Sequence, residues 1–148
     1  MSDERRDPFT GFNFRMEIDG VEVAGFKEIS GIETKTQVIE YSDGDEANFS
    51  VRKRPGRTNY TNVVFKRGIS EGIDLWEWYQ EVIDQDREME RKEIAIHLLD
   101  DSSDTPEKTY TFFEAWPCRY KGATLNAGDD QVALEEIEFA FEKLEIED

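Results

Sequence analysis

The side chains with reactive potential are few and scattered. The single histidine, His97, lies among Ile96, Leu98 and Leu99 with no nucleophile near it in sequence. A general base needs an orienting partner as well as a proton to take, so this imidazole reads as structural. The single cysteine, Cys118, follows Trp116-Pro117 and reads as a buried, small apolar residue rather than a reactive thiol. Being alone, it excludes an internal disulfide framework and a cysteine-based zinc cluster. Asp100, Asp101 and Asp104 stand close together but lack the central glycine and closing glutamate of a calcium loop. They read as a solvated turn, as does Asp129-Asp130. Gly11 is isolated, and Lys53-Arg54-Pro55-Gly56 lacks the spacing of a phosphate-cradling loop. Carboxylates are so numerous that any two would pass for an acid/base pair, which empties that signal of meaning. No catalytic, cofactor-binding or metal-ligating set is expected, and the chain reads as something other than an enzyme.

The charge balance is the dominant compositional feature. Asp and Glu number 35 against 18 Lys and Arg, a formal net charge of −17. Such a field repels phosphate backbones and disfavours a nucleic-acid-binding module. Disorder, the usual consequence of high charge, is excluded by a content of 37% hydrophobic and 12% aromatic residues. The acid marks either one functional surface or adaptation to high salt, where screening makes an acidic coat tolerable. Its spread along the chain favours the second. A length of 148 residues fits one domain able to bury its own core. No stretch approaches the ~20 apolar residues that span a bilayer. The opening Met1–Pro8 is polar and lacks the apolar run of a signal peptide. Synthesis in the cytoplasm is the expectation, with any external destination reached by assembly or lysis.

The apolar pattern is mostly of period two, as in half-buried strands. Phe12, Phe14, Met16 and Ile18 alternate with polar residues, and Asp19-Gly20 signals a tight turn into Val21–Phe26. A strand over Thr36–Tyr41 ends at the turn Ser42–Asp45. Glu46–Thr61 breaks the rhythm. It holds Arg52, Lys53, Arg54, Pro55, Gly56 and Arg57, the densest basic run in the chain, and reads as a long exposed loop. Asn62–Arg67 resumes as a strand. Asp74, with Glu77 three residues on, opens a helix over about 74–84 in the manner of a capping box. Its apolar stripe is read as Leu75, Trp76, Tyr79, Val82 and Ile83, with Trp78 off the stripe as an exposed contact candidate. Strands follow at Ile94–Leu98, Tyr110–Trp116 and Gln131–Ile146, the last with Glu136, Glu138 and Glu142 on its polar face. About seven strands and one helix predict a mainly β, single-domain barrel or sandwich spanning residues 1–148.

Several segments, in order, resemble the phage tail tube family, which includes the inner tube proteins of contractile injection systems. Asp7-Pro8-Phe9, Phe12-Asn13-Phe14 and Ile18-Asp19-Gly20 are similar to its first strand. Gly25-Phe26 with Glu28-Ile29-Ser30-Gly31-Ile32 resembles its GF-x-E-V-S-G-L element. Val38-Ile39-Glu40-Tyr41, then Arg52-Lys53, Pro55-Gly56 and Asn59-Tyr60, resemble its long loop. Lys66–Ile69 with Leu75–Tyr79, the run Ala115-Trp116-Pro117 to Leu125-Asn126-Ala127, and Glu135–Phe139 complete the series. Arg54 stands where an apolar residue is frequent in the family, and the acid content is high for it.

The resemblance implies hexameric rings stacked into a hollow tube of a virion tail or extracellular injection particle. The partners it implies are the chain itself, a sheath, and baseplate and terminator proteins, with DNA or protein cargo passing through the lumen. Head-to-tail contacts and open sheet edges suit such an assembly. Arg52, Lys53, Arg54, Pro55, Gly56, Arg57, Asn59 and Tyr60 are then the expected inter-subunit contacts, and Glu136, Glu138 and Glu142 the candidate lumen lining. A noncontractile tail tube is the alternative within the family. A monomeric ligand-binding β-domain, stacking ligands on Trp76, Trp78 and Trp116, is the alternative outside it.

Overall fold

A computed structural model describes residues 13–23, 26–42, 51–68, 74–85, 89–99, 106–124, 127–128 and 133–148. Its strands are β1 (Asn13–Ile18), β2 (Val21–Val23), β3 (Phe26–Ser30), β4 (Thr34–Tyr41), β5 (Arg52–Tyr60) and β6 (Val63–Gly68). One helix follows, α1 (Asp74–Ile83), and then β7 (Lys92–Leu99), β8 (Pro106–Lys121), β9 (Leu134–Ala140) and β10 (Lys143–Glu147). The turn expected at Ser42–Asp45 (beyond Ser42), the acidic loop at 100–104, Asp129-Asp130, Phe12 and the side chain of Asp74 lie outside the described residues.

The first hairpin forms as the alternation requires. Met16 and Ile18 of β1 are buried while Asn13, Arg15 and Glu17 point away from the core. Asp19 and Gly20 both take positive φ, 49° and 82°, the signature of a type I′ turn, and Ile18 pairs directly with Val21. Asp19 is also tied to the next strand in space: its backbone N–H donates to the Glu93 carbonyl, and its Oδ1 accepts from the Glu93 N–H, both at 2.9 Å. Asp19→Ala should therefore cost about 1–2 kcal/mol, from a left-handed residue without a local polar partner. Asp19→Asn should cost less, and urea denaturation of the two variants checks the order.

All pairings are antiparallel, and the strand order is β2-β1-β7-β8-β9-β6-β3 with β10 also on β8. The long strand β8 belongs to two sheets. Its first half lies between β7 and β10, and its second half pairs with β9, which continues to β6 and β3. The change occurs at Glu114, a non-glycine residue at φ 55°, flanked by Phe113 and Ala115. A bulge-like kink of this kind bends a strand and re-aims it, and here it turns β8 from one sheet into the other. The expected single strand Gln131–Ile146 is accordingly broken. β9 and β10 run in line along β8, interrupted at Phe141–Glu142 opposite the kink, where the Glu142 N–H donates to the Phe113 carbonyl. The result is a sandwich and not a closed barrel, since β2 and β3 end the strand order unpaired with each other.

Between the sheets lie Met16, Ile18, Val63, Phe65, Ile94, Ile96, Phe112, Ala115, Ile137 and Phe139. Phe65 is their centre, with ring centroids 5.1 Å from Phe139 and 5.7 Å from Phe26. Helix α1 closes the open side with Leu75 and Trp78. The two helix tryptophans thus exchange the roles expected of them. Trp78 is 4% exposed, packs 5.4 Å from Phe139, and donates its indole N–H to the Glu90 carbonyl at 2.8 Å. Trp76 is 43% exposed. The inward stripe is Leu75, Trp78, Tyr79 and Val82, at i, i+3, i+4 and i+7, and the alternative stripe through Trp76 and Ile83 faces out.

Candidate functional site

The basic segment is not a loop. Arg52–Tyr60 is strand β5, which pairs with β4 in a separate two-stranded ribbon inserted between β3 and β6. Each side chain has a definite position. Arg52 lies opposite Tyr41, Lys53 opposite Glu40, Arg54 opposite Ile39, Pro55 opposite Val38, Asn59 opposite Lys35 and Tyr60 opposite Thr34. Gly56 and Arg57 together oppose Gln37, making a bulge that twists the ribbon. Ile39 lies against Gly56, where an added Cβ would come within 2.9 Å of it. Pro55 is tolerated because β5 is an edge strand.

The ribbon buries almost nothing. Arg52, Lys53, Arg54, Pro55, Arg57 and Asn59 are exposed, as are Val38 and Tyr41 on β4. Tyr60 at its base is half-buried, its ring 5.5 Å from Phe141, and the Thr61 N–H donates to the Glu33 carbonyl. Local support is slight: Lys53 Nζ is 4.0 Å from Glu40, the Arg54 guanidinium lies 5.7 Å above the Tyr41 ring, and the Thr36 and Thr58 hydroxyls are 2.8 Å apart. Lys35, Arg52, Lys53, Arg54 and Arg57 face only Glu40 among the charges of the two strands, so the ribbon is strongly cationic on a chain of charge −17. An isolated two-stranded ribbon is marginally stable in water. This ribbon carries cationic side chains, exposed Val38 and Tyr41 and, among the described residues, two unpaired edges.

Glu136 and Glu138 do lie on the outward face of β9, since Ile137 and Phe139 between and beyond them are buried. Neither is a bare acid. Lys66 Nζ bridges Glu28 at 3.0 Å and Glu136 at 3.6 Å; Arg119 holds Glu138 at 3.1 Å and Glu136 at 3.3 Å. Asn62 donates to Glu138 at 3.0 Å, and this bond, followed by that from Arg119, lowers the Glu138 pKa. Partial burial opposes ionisation of Glu136, but Arg119, Lys121 and Lys66 prevail and lower its pKa. Glu142 stands apart, in the interruption between β9 and β10, paired with Arg91 at 2.9 Å.

Beneath this face is a buried polar link. Arg67, 6% exposed, donates through Nε to Glu135 at 2.6 Å, and the Tyr120 hydroxyl donates to the other Glu135 oxygen. The remaining chemical candidates take structural places. His97 lies with Nδ1 2.9 Å from the Thr109 hydroxyl and Nε2 3.3 Å from Glu17. Cys118 is half-buried rather than buried, because β8 bulges beside it. Desolvation and the neighbouring Glu138 push its thiol up to about 11, so thiolate chemistry near neutral pH is suppressed. The three tryptophans offer no common stacking surface: Trp78 is in the core and Trp116 half-buried. Among the described residues no cluster of His, Cys, Asp and Glu could hold a metal ion, and no helix is long and apolar enough to cross a membrane.

The family model of the T4-like virus tail tube protein gp19 matches residues 10–145. The chain belongs to that family. A tail tube protein is a structural subunit and not an enzyme. Solved structures share the fold across nearly the full length. A chain from the sheath-tube complex of PVC, an extracellular contractile injection system, is 23% identical with a TM-score of 0.82, over 98% of this chain and 93% of that one. A chain from the tube-terminating cap of the anti-feeding prophage is 21% identical at 0.85, over 99% and 95%. Hcp1 from Flavobacterium johnsoniae is 16% identical at 0.60, over 90% and 93%. No curated protein sequence matches the chain. For this tail tube protein the ribbon was legible as basic and exposed. Its strand character was not, nor were Glu28, Lys66, Arg119 and Lys121 as members of the β9 face, because their pairing is long-range.

Proposed function

We propose that this tail tube protein forms hexameric rings that stack into the inner tube of a contractile injection particle or contractile phage tail. The tube conducts DNA or protein cargo and is driven forward when a surrounding sheath contracts. The observation that carries the proposal is the β4–β5 ribbon, an arm that buries little of itself and therefore gains most by lying on a neighbouring copy. Its cations meet an acidic neighbour, and its unpaired edges offer main-chain pairing. The other partners are a sheath, a baseplate and a terminator, and the subunit is made in the cytoplasm before assembly.

Assembly is opposed by charge of one sign, −17 on every copy. The Debye length falls from ~8 Å at physiological salt to ~3 Å at 1 M, so repulsion is screened and association is expected to strengthen up to molar salt, as in a protein adapted to a saline host. Negative-stain microscopy of purified protein in 1 M salt should show hollow tubes of uniform width, and light scattering should fall on dilution of the salt. A fixed monomer at every salt concentration would overturn the reading. Tubes unchanged in dilute, chelator-treated buffer would remove salt adaptation alone.

A further inference from the structure

We infer that the arginine-bearing face of the β4–β5 ribbon docks on the outward stripe of helix α1 of a second copy, a contact that rests on the tube reading. The register gives the ribbon two unlike faces, because directly opposed residues share a face and neighbours along a strand alternate. Ile39, Tyr41, Arg52 and Arg54 lie on one face, and Val38, Glu40, Lys53 and Pro55 on the other. The side-chain contacts follow this division: the Arg54 guanidinium stacks over Tyr41, and Lys53 reaches Glu40. The second face is therefore self-neutralised. The first carries two exposed guanidiniums, an exposed ring and the half-buried Ile39, with no acid among them.

Helix α1 presents the complement. Trp76, Glu77, Gln80 and Ile83, with Asp84 just past the helix end, recur at i, i+1, i+4, i+7 and i+8 and form one outward stripe. All but Gln80 are exposed, and residues 74–85 contain no base. The Asp84 carboxylate accepts from the Gln80 amide at 3.3 Å, and among the described residues no ion pair engages Glu77 or Asp84. Trp76 is exposed yet held in place, its ring met edge-on by Tyr120 at 5.2 Å and by Tyr79 at 5.9 Å. A rigid, accessible tryptophan is the kind of anchor on which interfaces concentrate their energy. Two acids, a ring and an aliphatic side chain thus face two bases, a ring and an aliphatic side chain. Glu77 and Asp84 are about 10 Å apart along a helix and Arg52 and Arg54 about 7 Å apart along a strand, a difference that long arginine side chains close. In the docked pair Arg54 lies between the Tyr41 and Trp76 rings, and the guanidiniums pair with Glu77 and Asp84. Within one copy, among the described residues, no ion pair or ring contact joins Arg54 or Tyr41 to α1. The contact runs from the arm of one copy to the helix of the next, a head-to-tail arrangement of the kind that closes rings or grows filaments.

The test is a charge exchange across the contact, in the full chain, at the lowest salt that supports wild-type tubes. Arg52→Glu/Arg54→Glu and Glu77→Arg/Asp84→Arg should each raise the subunit concentration at which tubes appear by roughly tenfold or more, with circular dichroism unchanged. Combining the four exchanges should return that concentration to within about threefold of wild type. Because the combination also restores the net charge, a control joins the ribbon reversal to Glu22→Arg/Glu147→Arg, exposed acids on β2 and β10, and should show no recovery. Lys53→Glu, on the neutral face, should shift the concentration far less than the arginine reversal, and Trp76→Ala should raise it roughly tenfold. If the helix reversal does not fold, Glu77→Gln/Asp84→Gln takes its place; its loss of assembly should not add to that of Arg52→Gln/Arg54→Gln when the two are combined. Helix variants that assemble like wild type, a fourfold variant that does not recover, additive losses in the glutamine series, or equal recovery in the control would each overturn the contact and leave the tube standing. Wild-type protein that stays a monomer at every salt concentration would instead refute the tube reading itself.

Discussion

Reversing Arg52, Lys53, Arg54 and Arg57 together to Glu should leave a folded subunit that no longer polymerises. None of the four contributes to the core, Lys53 and Glu40 are only just in range at 4.0 Å, and Arg54 lies over the exposed Tyr41 ring. The fold should lose little, since exposed pairs contribute about 0–1 kcal/mol each. Assembly is different in kind. Every copy carries the same ribbon, so in the proposed tube each weakened contact would recur at every interface of a ring and of a stack. The reversal also adds negative charge to a chain already at −17, so attraction becomes repulsion at the arm. Circular dichroism should report a nearly unchanged melting temperature, and sedimentation in molar salt should report a monomer. Tubes of normal length from this variant would remove the ribbon from the assembly mechanism.

The second large effect concerns the buried link beneath the charged face. Arg67→Met should destabilise the subunit by about 3–5 kcal/mol, because it leaves the Glu135 carboxylate desolvated without its cation. That is a large share of the roughly 5–15 kcal/mol that holds a domain of this size. The cost belongs to the stranded charge and not to the loss of an attraction. The double exchange Arg67→Met/Glu135→Met should therefore recover most of the loss, with Tyr120 left to find a new acceptor. Urea midpoints at constant m-value measure both. A single exchange costing under about 1 kcal/mol would mean that the site is wetter than its 6% and 12% exposures suggest.

How much of this was legible in the sequence depended on whether an element buries one face. β1, β6 and β7 each place Met16, Val63, Phe65, Ile94 or Ile96 inward at every second residue, so their period was plain. β5 buries neither face. A run such as Arg52-Lys53-Arg54-Pro55-Gly56-Arg57 then carries no apolar alternation, and its strand character comes from pairing with β4 alone. The helix was found, but its sequence offered two apolar stripes, and packing on Phe139 decided for Trp78 over Trp76. The break between β9 and β10 was invisible for a similar reason, since it answers a kink at Glu114 on a different strand. The basic ribbon was readable from composition, whereas the charge balance of Glu136 and Glu138 depends on Lys66 and Arg119, which only the sheet brings near.

The strand order also sets a timetable for synthesis. β1 waits for β7 and β6 waits for β9, while β8, which both sheets share, begins only at Pro106. Such non-local pairings form slowly and late, because distant segments must be closed into register before any contact rewards them. The ribbon is the opposite case, a hairpin whose two strands are neighbours in the chain and need nothing downstream. A nascent chain thus has both strands of the ribbon before the strands that complete either sheet, although the ribbon alone is only marginally stable. On the proposed assembly, a truncated product then carries the arm but not the completed sheets of a whole subunit.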